Sequence, residues 1–246
     1  MKNYQLFIIL PVFIFFNSCT PKPYAGTNKV YRKKAAAFAK TLKEEPTVTV
    51  TADSLKTVAW VGTINFGMRK PNMVIIHHTA QNSCEQTLKT FTTEQTQVSA
   101  HYVICKDGTL HHMLSDYLRA WQAGIAMWGS NTDINSSSIG IEIDNDGTEN
   151  FTEAQLNTLL GLLDTLKKSY NIPAANFIGH ADIAPVRKND PNVNFPWKRL
   201  ADKGYGLWYA DTTGVAVPDN FNVTYALKII GYDIRNSDAA TKAFRR

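Results

Sequence analysis

Apolar positions along this chain change their period several times, and each change predicts an element. Met73-Val74-Ile75-Ile76 is a continuous apolar run rich in β-branched side chains, which fits a strand buried on both faces. Ser83 and Gln86 then form the pattern of a capping box, which opens a helix over about Cys84–Gln95. His101 to Cys105 reads as a second strand, and Lys106-Asp107-Gly108-Thr109 as a hairpin turn into Leu110–Met113. Ile139 to Ile143 is another strand, with Glu142 near its exit. The clearest helix runs from about Thr152 to Tyr170. It has a second capping box in Thr152 and Gln155, and Leu156, Leu159, Leu160, Leu163 and Leu166 recur at helical spacing. Asn171 and Pro173 stop it, Asn176–Gly179 makes a last short strand, and a long polar loop follows to Pro196. Strands alternate with helices and at least one hairpin is present, so the fold class is α/β, a mixed central sheet flanked by helices.

The outer parts of the chain have a different texture. A short basic start precedes an apolar stretch from Leu6 to Phe16, interrupted by Pro11. That length suits a signal peptide and is too short to span a bilayer. It ends in Asn17-Ser18-Cys19, a small residue directly before cysteine, as in bacterial lipoprotein signals. The expectation is a signal at residues 1–18, a lipid on Cys19, and a location on the periplasmic face of the cell envelope, at the outer membrane. Residues 19–57 read as a tether and arm, with a short helix around Ala35-Ala36-Ala37 and an extended piece at Thr47–Thr51. The core domain is expected over 58–209 and a C-terminal extension over 210–246.

Composition narrows the possibilities only a little. At 246 residues, 44% hydrophobic and 19% charged, the chain is globular and large enough for one domain with an appendage. Its net charge of +5 is scattered, with no basic stripe or reading motif for nucleic acid. An anionic wall polymer or membrane surface would suit it, as would no special partner at all. A monomer is expected. With Cys19 set aside, Cys84 and Cys105 remain, and the reading favours two unbridged, partly buried thiols.

Three segments place functional groups at strand ends: Ile76-His77-His78-Thr79-Ala80, Ser138-Ile139-Gly140-Ile141-Glu142, and the run from Gly179 to Pro191. Metal-assisted hydrolysis of an amide needs about three protein ligands and an open position. It also needs a carboxylate to take a proton and a cation to face the oxyanion. His77, His180 and Asp190 can be the ligands, Glu142 the base and Lys188 the oxyanion partner, but spacing alone does not assign these roles. Taken singly, His77 is more often a hydrogen-bonded structural histidine than a ligand, Glu142 can be an exposed strand-end carboxylate, and Lys188 is ordinarily a solvated loop charge.

These segments resemble those of the type 2 N-acetylmuramoyl-L-alanine amidases, relatives of the peptidoglycan recognition proteins, over roughly residues 58–209. "GHADIAPVRKNDP" is the most specific match, joined by "SIGIE". The resemblance implies one amidase domain holding a single zinc ion in an open cleft. It maps the zinc ligands to His77, His180 and Asp190, and the catalytic residues to Glu142 and Lys188. It further implies cleavage of the bond between N-acetylmuramic acid and L-alanine in peptidoglycan or muropeptides, for wall turnover or recycling. A wall protein that binds muropeptides without cutting them is the alternative, although such relatives typically lose a zinc ligand.

The sequence departs from the family at two points. Arg119-Ala120-Trp121-Gln122-Ala123-Gly124 resembles "RAWHAG", with Gln122 in place of the histidine, and Ala100 stands where many relatives have tyrosine. Trp121 and Gln122 are expected near substrate. His101 either faces the cleft beside the metal or serves the strand, His78 is expected to pack, and His111 and His112 to lie on the surface. Asp182 is read as bonding backbone amides within its loop. The tail, with Leu227, Gly231-Tyr232-Asp233 and Ala243-Phe244, resembles part of a small peptidoglycan-binding module. It is either a helical hairpin packed on the domain or a remnant.

Overall fold

The computed structural model describes residues 23–43, 63, 65, 68 and 70–246. The expected signal, Cys19, the Thr47–Thr51 piece and the start of the domain at Val58 lie outside these residues. The chain divides into two units, residues 1–64 and 65–246. The described part of the first is helix α1 (Ala25–Thr41), 17 residues long with none buried, so the short helix predicted there is a longer one. No helix among the described residues is long and apolar enough to cross a membrane.

The second unit contains strands β1 (Met73–His78), β2 (Tyr102–Ile104), β3 (Leu110–His112), β4 (Ser138–Ile143) and β5 (Phe177–Gly179). Its helices are α2 (Cys84–Thr92), α3 (Ile134–Ser137), α4 (Glu153–Tyr170), α5 (His180–Ile183), α6 (Trp197–Ala201), α7 (Val223–Ile230) and α8 (Ser237–Phe244). The strands form one mixed sheet in the order β3-β2-β4-β1-β5. β1 runs parallel to β4 and β5, β2 runs parallel to β4, and only the β2–β3 hairpin is antiparallel. All six positions of β1 are buried, as the unbroken apolar run of a central parallel strand requires.

The two faces of the sheet are filled differently. Val74, Ile76, Ile139, Ile141 and Ile143 meet Leu156, Leu159, Leu162, Leu163 and Leu166 of α4 in the main core. The α4 capping box forms as its sequence predicts, with the Thr152 side chain accepting from Gln155 N. Leu162 joins the buried face, while Leu160 is only partly covered. The hairpin turn depends on Gly108 at φ +86°; a side chain there would meet the Ala154 carbonyl oxygen at 2.9 Å, in the first turn of α4. On the opposite face, Met73, Ile75 and Ile178 pack against Ala123, Ala126, Ile134, Ile183 and Ala184, which come from loops and short helical turns. Loops and short turns thus pack this second face, and it is the face to which His77 and Glu142 belong by strand alternation.

The thiol expectation is overturned. Cys84 at the start of α2 and Cys105 just after β2 are joined in a disulfide, with Cα atoms 5.3 Å apart. Packing of α2 beside β2 brings together two residues whose sequence spacing carries no such information. The bridge closes a loop across a separation of 21 residues, and restricting the unfolded chain in this way typically stabilises by about 2–4 kcal/mol. Cys105→Ser should therefore lower the urea midpoint of the oxidised protein and make it insensitive to reductant. Equal midpoints for wild type with and without reductant would contradict this.

Candidate metal centre

Parallel strands deliver the site. His77 on β1 sits in register with Glu142 on β4, and on the other side of β1 Ile76 is in register with Gly179, the last residue of β5. His180 follows at once as the first residue of α5. Three adjacent parallel strands thus release His77, Glu142 and His180 at their carboxyl ends, where open α/β sheets commonly hold ligands. The segment after β5 was expected to be loop throughout, but it begins with the helical turn α5, capped by Asp182, whose Oδ2 accepts from Gly179 N at 2.8 Å. The chain then returns, and Ala181 N donates to the Asp190 carbonyl at 2.8 Å, so the two ends of this excursion are pinned together.

The result is a convergence of three buried groups. Asp190 Oδ2 lies 2.9 Å from His77 Nδ1 and 3.0 Å from His180 Nδ1, and the two rings meet edge to face at 4.5 Å. Among the described residues these three form one of two groups whose ligand atoms could share an ion. The other, Cys84, Cys105 and His111, has its sulfurs committed to the disulfide.

The far nitrogens of both rings are occupied. His180 Nε2 lies 3.0 Å from the Ala123 carbonyl, which can only accept, so this nitrogen carries the hydrogen. His77 Nε2 lies 2.6 Å from Gln122 Oε1. In the neutral rings both Nδ1 atoms are then lone pairs that face a carboxylate oxygen. Three acceptors turned on one point fit a divalent cation, and two histidines with one aspartate are an established zinc set. Burial brings the His180 pKa down to about 4, aided by the charge of His77. Burial also resists charge on His77, but Glu142 and Asp190 outweigh it and raise its pKa. Burial works to raise the Asp190 pKa, yet the bonds to His180 and His77 hold it below the ordinary carboxylate range.

Glu142 stands beside this cluster without joining it. Its Oε1 is 4.0 Å from His77 Nδ1, its side chain is 12% exposed, and its Oε2 is buried with no hydrogen-bond partner. Burial pushes its pKa up to about 7, against the opposing charge of His77. Lys188 is half-buried on the same return loop, and its charge acts on both Glu142 and His180. It lines a cavity of about 330 Å³ with Arg187, Lys242 and Arg246.

The remaining expected residues fall differently. His101 is fully buried; its Nδ1 accepts from Gly140 N of β4 and its Nε2 donates to the Leu118 carbonyl in the loop after β3, so both ring nitrogens are committed to main chain. Trp121 is half exposed, with its backbone N–H bonded to Ser99 Oγ. Gln122 reaches His77. His78 is buried and packs, and His112 stacks on Tyr102. Asp182 bonds a backbone amide as read, and it also accepts from the Tyr232 hydroxyl at 2.6 Å. Through that contact the α7–α8 hairpin rests on α5, with Leu227, Tyr232, Ala240 and Ala243 packed around Ala181. The sequence reading did not single out Ser138, Arg187 or Tyr232. Arg187, inside the most specific motif, donates to the Ala123 and Ile125 carbonyls at 2.7 and 2.9 Å.

Comparison with known proteins agrees with this geometry. The family model described as N-acetylmuramoyl-L-alanine amidase matches residues 67–193. The N-acetylmuramoyl-L-alanine amidase AmiD of Escherichia coli K12 is 35% identical over 152 residues, 55% of this chain and 54% of its own length. The 1,6-anhydro-N-acetylmuramyl-L-alanine amidase AmpD of Enterobacter cloacae is 39% identical over 103 residues, 42% of this chain and 55% of its own. The chain therefore spans about half the length of the curated relatives it matches. Among solved structures, E. coli AmiD in complex with the substrate anhydro-N-acetylmuramic acid-L-Ala-D-gamma-Glu-L-Lys aligns with a TM-score of 0.62 at 30% identity, covering 71% of this chain and 77% of that one. AmpDh3 from Pseudomonas aeruginosa aligns with a TM-score of 0.65 at 26% identity, covering 81% and 89%.

Proposed function

The chain belongs to the N-acetylmuramoyl-L-alanine amidase family, and from that premise we propose that it hydrolyses the amide between N-acetylmuramic acid and L-alanine in peptidoglycan or its soluble muropeptides. The observation that carries this reading is the meeting of His77 Nδ1, His180 Nδ1 and Asp190 Oδ2 beside an unpartnered Glu142 oxygen. All three ligand positions are filled by competent residues, which favours catalysis over binding alone. The substrate class is supported by the relative from E. coli, whose structure holds an anhydro-muramyl tripeptide.

His77, His180 and Asp190 would hold one zinc ion, which supplies Lewis acidity to the substrate carbonyl and brings a water's pKa toward about 7. Glu142 takes the proton from the attacking water. A buried carboxylate with one oxygen free of hydrogen bonds can accept that proton and later return it to the leaving amine. Lys188 faces the charge that develops on the carbonyl oxygen. The stem peptide leaves with a free L-alanine amine. The reading extends to place: a monomeric enzyme of wall turnover, held on the outer membrane by lipid on Cys19, supported by the apolar stretch from Leu6 to Phe16 and the residues leading to that cysteine.

Mass spectrometry of a defined muramyl peptide incubated with the purified protein tests the reaction. Free peptide beginning with L-alanine is expected, lost with a chelator and regained on adding zinc. Intact substrate in a folded, zinc-loaded sample would leave only a binding role.

A further inference from the structure

Two neighbouring residues supply the acceptors behind both histidines: Gln122 through its side chain and Ala123 through its carbonyl. Asn135 Oδ1 clamps this pair by accepting from Gln122 N at 3.0 Å and Ala123 N at 2.9 Å. A carbonyl is an acceptor in any state, but an amide side chain can present either end. The direction of Gln122 is settled one bond further back. Ser138 Oγ lies 2.7 Å from the Ile134 carbonyl and must donate its single hydrogen there. Its lone pair then receives Gln122 Nε2 at 2.8 Å, which leaves Gln122 Oε1 turned to His77. The amide lies flat over β4 because residue 140 is glycine; a Cβ there would come within 2.7 Å of Gln122 Cγ.

We propose that Gln122 is a positioning residue that holds His77 as its Nε2–H tautomer, so that the Nδ1 lone pair is the one offered to the metal. The relay runs from the Ile134 carbonyl through Ser138 and Gln122 to His77, and each step has one permitted donor. This gives a local meaning to glutamine at a position where the family pattern has histidine. Imidazole would serve Ser138 and His77 only by presenting a hydrogen to one and a lone pair to the other. The amide does this with no choice of tautomer of its own. The inference rests on the reading of His77, His180 and Asp190 as a metal site, and its test is arranged to stand apart from that reading.

The full chain is labelled with ¹⁵N-histidine, and spectra are taken without metal along an alkaline series until the ring shifts show His77 neutral, and again with zinc. Zinc affinity is measured by competition with a chromophoric chelator. The wild type should show His77 with hydrogen on Nε2 in both states. Gln122→Leu removes the acceptor, and Ser138→Ala keeps Gln122 but lets its amide turn over. Both should move the metal-free ring toward the Nδ1–H tautomer and weaken zinc binding, by about 10- to 100-fold for Gln122→Leu. Gln122→Glu, which still accepts, should restore the Nε2–H signature, a recovery that loss of packing would not explain. An Nδ1–H ring in the wild type, or unchanged tautomer and affinity in Gln122→Leu, overturns the assignment. Failure of the wild type to bind zinc would count against the proposed function, while the metal-free spectra would still decide the tautomer.

Discussion

Asp190→Ala should yield a folded protein that no longer retains zinc and that hydrolyses muramyl peptide at least about 10⁴-fold more slowly, since the activated water is lost with the metal. Asp190 is the hub of the cluster, because the same oxygen lies within 3.0 Å of both Nδ1 atoms. Without it two ligands remain, fewer than the three protein ligands usual in catalytic zinc sites. The fold should survive because the return loop is tied by main chain, Ala181 N to the Asp190 carbonyl, and alanine keeps that bond. Metal content after gel filtration and the far-UV spectrum read the two halves of the expectation. Wild-type zinc stoichiometry in this variant would remove Asp190 from the ligand set.

Glu142→Gln should do the complementary thing: zinc stays, and kcat falls by about 10²- to 10⁴-fold, the usual worth of a positioned general base. Glutamine matches the carboxyl in shape, so the buried strand end is not disturbed. It cannot accept the proton, however, and it places a neutral amide where Oε2 now sits without a partner. The loss should appear in kcat and kcat/KM together, with KM little changed, because the missing interaction belongs to the reaction step. Activity within tenfold of wild type would move the base to another group.

Where local patterning and chemistry coincide, the sequence was legible. The apolar run before His77, the N-cap at Ser83, the capping box at Thr152, and the leucine spacing of α4 each follow from a rule that acts within a few residues, and each predicts its element to within a few positions. His77, Glu142 and His180 could be placed near strand ends for the same reason. That they meet depends on the strand order β4-β1-β5, which no local pattern encodes. The disulfide was misread because its geometry comes from α2 packing beside β2. The turn α5 is only four residues long, too short to leave a period. Gln122 was recognised as unusual, but its partner His77 is 45 positions away, and the direction of its amide is decided by Ser138. Donor and acceptor logic of this kind can be worked out only once the neighbours are known.

The Tyr232 hydroxyl bonded to Asp182, the Gly129 N–H bonded to the Gly231 carbonyl at 2.7 Å, and the Trp128 ring edge-on to Tyr232 all join the C-terminal hairpin to segments beside the ligands. None of these hairpin residues lies within residues 67–193, the part that carries the family pattern. The structural unit around His77, His180 and Asp190 is therefore longer than the part that carries the family pattern. A graft onto another scaffold cut at residue 193 would carry His77, His180 and Asp190 and lose the hairpin packed around Ala181. Anyone recombining this domain has to treat Tyr232 as an internal part of it, because its hydroxyl is bonded to Asp182, two residues past His180.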